Sequence, residues 1–304
     1  MGFKTFVAIY LSTVIVVSAF VIVAAPRLQT RNETAANHFS VVWGGYRPPY
    51  NNGTPDYYVC INNLLASVLQ MNIALKVQNF ENSSYYFCVD KYEDPPTGWN
   101  VTPYQYGSIG IDQTVEFVYS NLAREKPASI PSGKMTETIN LAVKAYYDAG
   151  YTSLYSQDNF TVQYHFIDID STSWVRKTCD NFDDGTWQGW GAPGYIYGSL
   201  QNYGNYRSWP TSAHTGQYSG GYCFEKTFDT AGPYTEAYLV FALYHDGSND
   251  MSIDINGVTM YKPDKRYGGM TWYQHVIPLP ISSSVSVRIA GIDANLDDAY
   301  LIAK

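Results

Sequence analysis

The chain has 304 residues, enough for two domains of ordinary size plus a targeting segment, and 45% of them are hydrophobic. Only 15% are charged, well below the roughly 25% of a typical soluble domain, and 29 tyrosines take up part of the difference. A net charge of −8 with no Lys/Arg block excludes a nucleic-acid partner and fits a surface solvated by hydroxyls, amides or glycans.

Thr5 to Pro26 carries no charge and is bounded by Lys4 and Arg27. Twenty-two such residues form a helix of about 33 Å, long enough for a bilayer core. Val17-Ser18-Ala19 also offers a cleavage site, so residues 1–27 are either an uncleaved signal anchor or a signal peptide. Both place the remainder outside the cytoplasm, secreted or at the cell surface, with the membrane as partner if the segment stays. The Asn-x-Ser/Thr sequons at Asn32, Asn52, Asn82, Asn100 and Asn159 agree with export and predict a glycoprotein. The four cysteines form no Cys-x-x-Cys pair. Cys60 with Cys88, and Cys179 with Cys223, are spaced as two intradomain disulfides would be; four buried thiols are the other reading.

From Ala35 onward the periodicity is two, not 3.6. Leu69, Met71, Ile73, Leu75 and Val77 alternate with polar or small residues, and Tyr85, Phe87 and Val89 repeat the pattern. Ile139 to Ala145 and Phe160 to Phe166 give two more strands. One apolar and one polar face, repeated, predicts an antiparallel Ig-like sandwich over 36–172, with Asp94 to Ile111 as surface loop. Its closing pair, "TINLAVKAYYDAG" and "NFTVQYHFIDI", loosely resembles the β-sandwich subunits of archaeal surface filaments and cannulae. The domain boundary is expected at Ser171-Thr172-Ser173.

The second half carries ordered motifs: "CDNFDDGTWQGW", "HTGQYSGGYCFEKTF", "EAYLVFALYHDGSNDMSIDINGVTMY", "TWYQHVIPLP" and "VSVRIAGIDANLDDAYLIAK". Within them Asn256-Gly257, between Ile253, Ile255 and Val258, is the preferred dipeptide of a tight hairpin. Taken together, residues 178–304 resemble jelly-roll carbohydrate-binding modules and their galactose-binding-like relatives. The resemblance implies first and last strands that lie side by side, each bearing an acidic pair, joined by a structural calcium. Calcium takes about six to eight hard oxygen ligands. The candidates are Asp183 and Asp298, with Asp297 and Asp184 as alternates; solvated turn residues are the other reading. The resembled modules usually have Glu where this chain has Asp183, a shorter reach. Trp190 and Trp272 match core positions.

Sugar binding needs a flat aromatic face against the pyranose ring and polar groups for its hydroxyls. Trp187, Tyr195, Tyr197, Tyr203, Tyr206 and Trp209 crowd a Gly-rich insert and are the ligand-binding candidates. No catalytic residue is assigned: His-Glu-x-x-His, Gly-x-Ser-x-Gly and Walker sequences are absent. Gly189 to Gly194 fits a dinucleotide pattern without a βαβ unit around it. The expected protein is therefore all-β, two tandem β-sandwiches (Ig-like, then jelly roll) behind one N-terminal apolar helix. Its expected role is non-enzymatic recognition of a glycan or partner surface. The alternative is a structural subunit of a filament, envelope layer or virion, self-assembling through β-edge pairing by "HFSVVW", residues 38–43.

Overall fold

In the computed structural model of the chain, residues 39–44, 56–62, 67–191, 199–201, 212–214, 223–245, 252–261, 271–290 and 295–304 are described. The apolar segment 5–26 and the sequons at Asn32 and Asn52 lie outside them. The elements among the described residues are all β-strands, and they build β-sandwiches.

The first sandwich comprises β1 (Phe39–Gly44), β2 (Asp56–Cys60), β3 (Val68–Asn79), β4 (Tyr85–Lys91), β5 (Trp99–Val101), β6 (Tyr104–Ile109), β7 (Thr114–Glu125), β8 (Lys134–Tyr146) and β9 (Leu154–Ile167). One sheet has the order β1-β3-β7-β5, the other β2-β9-β8-β4-β6, and only β2–β9 is parallel among these pairings. The alternation seen in the sequence becomes the core directly. Ile73, Leu75 and Val77 of β3 join one buried cluster with Phe87 and Val89 of β4, Leu141 and Val143 of β8 and Val162 and Phe166 of β9. Each such side chain contributes roughly 1.5–3 kcal/mol by leaving water.

The stretch 94–111 is not all loop. It holds β5 and β6, short strands separated by Thr102-Pro103, with Trp99 buried in the core. Three-residue β5 lies between prolines and six-residue β6 is interrupted by Gly107, so neither shows a clear period, but Tyr104 and Tyr106 each pack on the Phe117 ring. Residues 39–44, most of the segment considered for pairing with a neighbour, pair antiparallel with β3 of the same sandwich, from Phe39↔Asn79 to Gly44↔Ala74.

The second sandwich comprises β10 (Val175–Asp180), β11 (Ser199–Gln201), β12 (Ser212–His214), β13 (Cys223–Phe228), β14 (Ala237–His245), β15 (Ser252–Ile255), β16 (Val258–Tyr261), β17 (Thr271–Leu279), β18 (Val285–Ala290) and β19 (Asn295–Ala303). One sheet runs β11-β12-β19-β14-β17 with β10 also on β19; the other runs β13-β18-β15-β16. Asn256 and Gly257 join β15 to β16 with φ of 51° and 79°, the conformation their tight turn demands.

β14 reads Ala-Tyr-Leu-Val-Phe-Ala-Leu from 237 to 243, apolar without alternation, because both its faces are covered. Leu239, Phe241 and Leu243 face the second core, whereas Tyr238 and Val240 join Ile302, Val276, Ile167, Ile169, Trp174 and Cys60 in a third cluster between the sandwiches. The connection is tied down as well. Asp168 Oδ1 accepts from Asn62 Nδ2 (2.6 Å) and Asp170 N (3.1 Å), and Oδ2 from Ile130 N (2.9 Å). The Trp174 indole donates to Gly133 O at 3.1 Å. The shallow cleft of about 400 Å³ beside Asn62, Ile130, Asp168 and Asp170 is thus lined by groups already engaged in the strut.

The expected Cys60–Cys88 bridge is not formed. Cys60 pairs with Ile167, which pairs with Lys134, whereas Cys88 pairs with Lys144, ten residues along β8. At about 3.3 Å per residue the two lie some 30 Å apart, far beyond the roughly 7 Å Cα limit of a disulfide. Cys60 Sγ donates to Asn62 Oδ1 and Cys88 Sγ to Val89 O. Cys179 is exposed and unbridged; the side chain of Cys223 lies outside the description.

Candidate functional site

The first and last strands of the second sandwich are neighbours, from Val175↔Ala303 to Asp180↔Ala299. Just past that point β19 bulges: Val240 of β14 faces Tyr300 and Ala242 faces Asp297, so Asp298 and Ala299 together oppose Phe241. Asp298 takes a left-handed φ of 48° there. Beyond the bulge β12 replaces β10, pairing Ala213 with Leu296. The joint between two partner strands is where Asp297, fully buried, and Asp298, nearly so, are held; Asp298 N donates to Asp297 Oδ1 at 2.8 Å.

Opposite them, β10 ends in a tight loop. Phe182 is wholly buried yet adopts φ of 59°, a costly choice for a bulky side chain, held by Gln188 Oε1 accepting from its N–H at 3.0 Å. The sequence places Asp183 and Asp184 within the first strand, but the strand stops at Asp180. Asp183 Oδ2 accepts from Asn181 Nδ2 at 2.6 Å, and its Oδ1 is enclosed with no hydrogen-bond partner. Asp184 is exposed; Thr186 Oγ1 and Thr186 N both donate to its Oδ1 at 2.8 Å, and these bonds hold its carboxyl below the usual range.

Asp180, which sequence reasoning passed over, is the hub of the loop. Its Oδ2 accepts from Lys226 Nζ (2.6 Å) and from the Trp190 indole (3.0 Å), with Lys226 and Asp180 both largely buried. Lys226 also donates to Gln188 O at 2.7 Å. Nothing in "CDNFDD" separates Asp180 from its neighbours; only the pairing across 46 residues does. Trp190 is core, as its position implied.

No three of the described His, Cys, Asp and Glu side chains gather closely enough to hold a metal ion. In the loop after β10, Asp183 Oδ1 is an enclosed hard oxygen without a hydrogen-bond partner, of the kind calcium takes. Of the aromatic candidates, Trp187 is half-buried and packs on the second core. Tyr195, Tyr197, Tyr203, Tyr206 and Trp209 lie outside the described residues, as does the side chain of Trp272. By chain order, however, these five precede β11 or fall between β11 and β12, the hairpin at the edge of the larger sheet. The sequon residues Asn82, Asn100 and Asn159 are all exposed.

No protein-family model matches the chain, and no curated protein matches it. Solved structures similar to it include the CBM22-1 xylan-binding domain from Paenibacillus barcinonensis Xyn10C, with 15% identity over 42% of this chain and 94% of that one, TM-score 0.32. The tandem CBM22-1-CBM22-2 domain of the same protein covers 90% of this chain and 99% of its own at 10% identity and TM-score 0.34. The K3 adhesin domain of Lys-gingipain from Porphyromonas gingivalis covers 42% and 98% at 13% identity and TM-score 0.30. Likenesses at this level assign neither ligand nor activity.

Proposed function

We propose that the chain is a non-enzymatic, extracytoplasmic recognition protein whose second sandwich binds a glycan. The observation that carries this reading is that β11 and β12 lie at the edge of the larger sheet, and five of the six candidate stacking residues flank β11 in sequence. The side-by-side terminal strands, the Asn-Gly hairpin and the buried Trp190 support the jelly-roll assignment. The first sandwich supports an immunoglobulin-type assignment by its order β1-β3-β7-β5 over β9-β8-β4, with one departure: short β5 precedes β6 in sequence.

A calcium ion is part of the same proposal on the chemistry of its first candidates, Asp183 and Asp298, with the remaining ligands supplied from outside the described carboxylates, since no three of these gather closely enough to hold a metal. Asp184 and Asp180 are engaged elsewhere. The ion would supply charge neutralisation between the end of β10 and the bulge of β19.

The test is binding of the full chain to a glycan array, then titration of any hit against Trp209→Ala. Truncating an aromatic anchor is expected to weaken binding by at least about tenfold. No hit, or an unchanged titration in a folded variant, overturns the reading.

A further inference from the structure

The turn that joins β8 to β9 holds one residue at an angle its side chain disfavours. Tyr151 takes a left-handed φ of 54°, costly for a bulky residue. Asp148 fixes it there. Its carbonyl accepts from Tyr151 N at 3.1 Å, and its carboxylate accepts from Gly150 N, Thr152 N, Thr152 Oγ1 and Ser153 N. The outcome is a ring laid on the outer face of the sheet β2-β9-β8-β4-β6. Tyr86 of β4 and Tyr146 of β8 point outward there, directly opposite each other, while Phe87 and Ala145 beside them point into the core. Tyr151 meets Tyr146 at 5.5 Å and 74°, and Tyr86 at 6.2 Å and 76°. Its hydroxyl is hydrogen-bonded by the Gly107 backbone, so the side chain reaches across β8 and β4 to β6. All three rings are half-buried, and the turn maintains them at the cost of backbone strain.

Two residues along the strands, about 7 Å away, the same face turns polar. Lys144 lies opposite Gln157 on one side and Cys88 on the other, and Cys88 lies opposite Gln105. Lys144 Nζ donates to Asp90 Oδ2 at 2.7 Å, so this row carries no excess charge. Gln105 and Gln157 are exposed, each amide offering a donor and an acceptor. The matching ligand has an apolar face for the rings, hydroxyls for the amides, and no charge of its own. An anionic glycan would have to break the Lys144–Asp90 pair to find a counter-ion, and a purely apolar ligand would leave the polar row unmatched.

We infer that this outer face of the first sandwich is a binding site for an uncharged saccharide. A pyranose ring lies against Tyr86, Tyr146 and Tyr151, and its hydroxyls meet Gln105, Lys144 and Gln157. The site is separate from the edge hairpin of the second sandwich, so it goes beyond the reading above and makes the chain bivalent for glycan.

The experiment titrates the full chain, carrying isotopically labelled tyrosine rings, with cellohexaose and mannohexaose, and with polygalacturonate as an anionic probe. Trp209→Ala serves as the parent, to remove the site proposed on the second sandwich. At least one neutral oligosaccharide should bind this parent and shift the ring signals of Tyr86, Tyr146 and Tyr151. Tyr151→Gly should weaken that binding by at least about tenfold, and glycine suits the left-handed angle, so the turn is retained. Gln157→Ala, at an exposed position, should weaken it several-fold without touching the core. Ring signals that no probe moves, or binding unchanged in both variants, overturn the inference. A preference for polygalacturonate overturns the uncharged class. A glycan found on Asn159, the next outward residue of β9, also overturns it by covering the polar row. Loss of all binding in Trp209→Ala removes this site and leaves the one on the second sandwich. Binding that survives Trp209→Ala undiminished and falls with Tyr151→Gly does the reverse.

Discussion

Lys134 Nζ lies 2.6 Å from Glu236 Oε2 across the junction of the two sandwiches, joining residues 102 apart in sequence. Tyr238 OH donates to the same oxygen at 2.6 Å, and Lys304 Nζ stands 3.5 Å from Oε1 while donating to Ser132 O. Around the clamp sits the third apolar cluster, so the sandwiches are joined by packing as well as charge.

Burial alone would raise the Glu236 carboxyl, but the hydrogen bonds from Lys134 and Tyr238, with the two lysine charges, hold it below its ordinary value of 4.5. A depressed folded value means the unfolded chain binds protons first on acidification. The contribution is complete above the ordinary carboxyl range and is lost as pH falls through the lower folded value. Glu236→Gln should therefore cost about 1 kcal/mol at pH 7, since the pair is partly exposed, and progressively less as pH falls below the ordinary carboxyl range. Thermal melts across that range check it; a pH-independent difference sinks it.

Arg124 grips Glu137 with two hydrogen bonds, Nε to Oε2 at 2.8 Å and Nη2 to Oε1 at 3.0 Å, and the Trp99 indole adds a third. Both ionic side chains are nearly buried. Arg124→Ala strands a carboxylate beside the core and should cost about 3 kcal/mol. Arg124→Lys keeps the charge, loses the fork, and should cost roughly half that. Urea denaturation resolves the two; equal costs would mean that geometry contributes nothing.

The first sandwich should melt at the same temperature with and without reductant, because Cys60 and Cys88 are too far apart to bridge. In the native protein a small alkylating agent should label exposed Cys179 well before buried Cys88, whose thiol burial pushes up. A reductant-sensitive melt of the first sandwich, or prompt labelling of Cys88, would contradict this arrangement.

If calcium occupies the seam, adding it at about a hundred times its Kd should stabilise the second sandwich by roughly 2.7 kcal/mol. Chelator should reverse the gain. Asp298→Ala should abolish it, whereas Asp184→Ala should leave it intact because Asp184 caps a local turn. Superimposable melts in calcium and chelator would remove the metal.

The sequence by itself determined that this is a β protein, where its long strands run and where one hairpin turns. Period-two alternation at 69–77, 139–145 and 160–166, and Asn256-Gly257, report local backbone geometry, which neighbours in sequence suffice to define. It misassigned β5 and β6 as surface loop, because a three-residue strand between prolines and a glycine-interrupted one show no clear period, and was ambiguous on β14 and β19, where apolar residues cover both faces. Which acidic residue does what was decided only by tertiary structure. Asp180, Asp183 and Asp184 are chemically alike in the chain. Pairing with β19, the distant Lys226 and a bulge at Asp298 make one a buried ion-pair partner, one an enclosed carboxylate with an unused oxygen, and one a turn cap. The disulfide spacing misled for the same reason: separation along the chain carries no information about distance across a sheet.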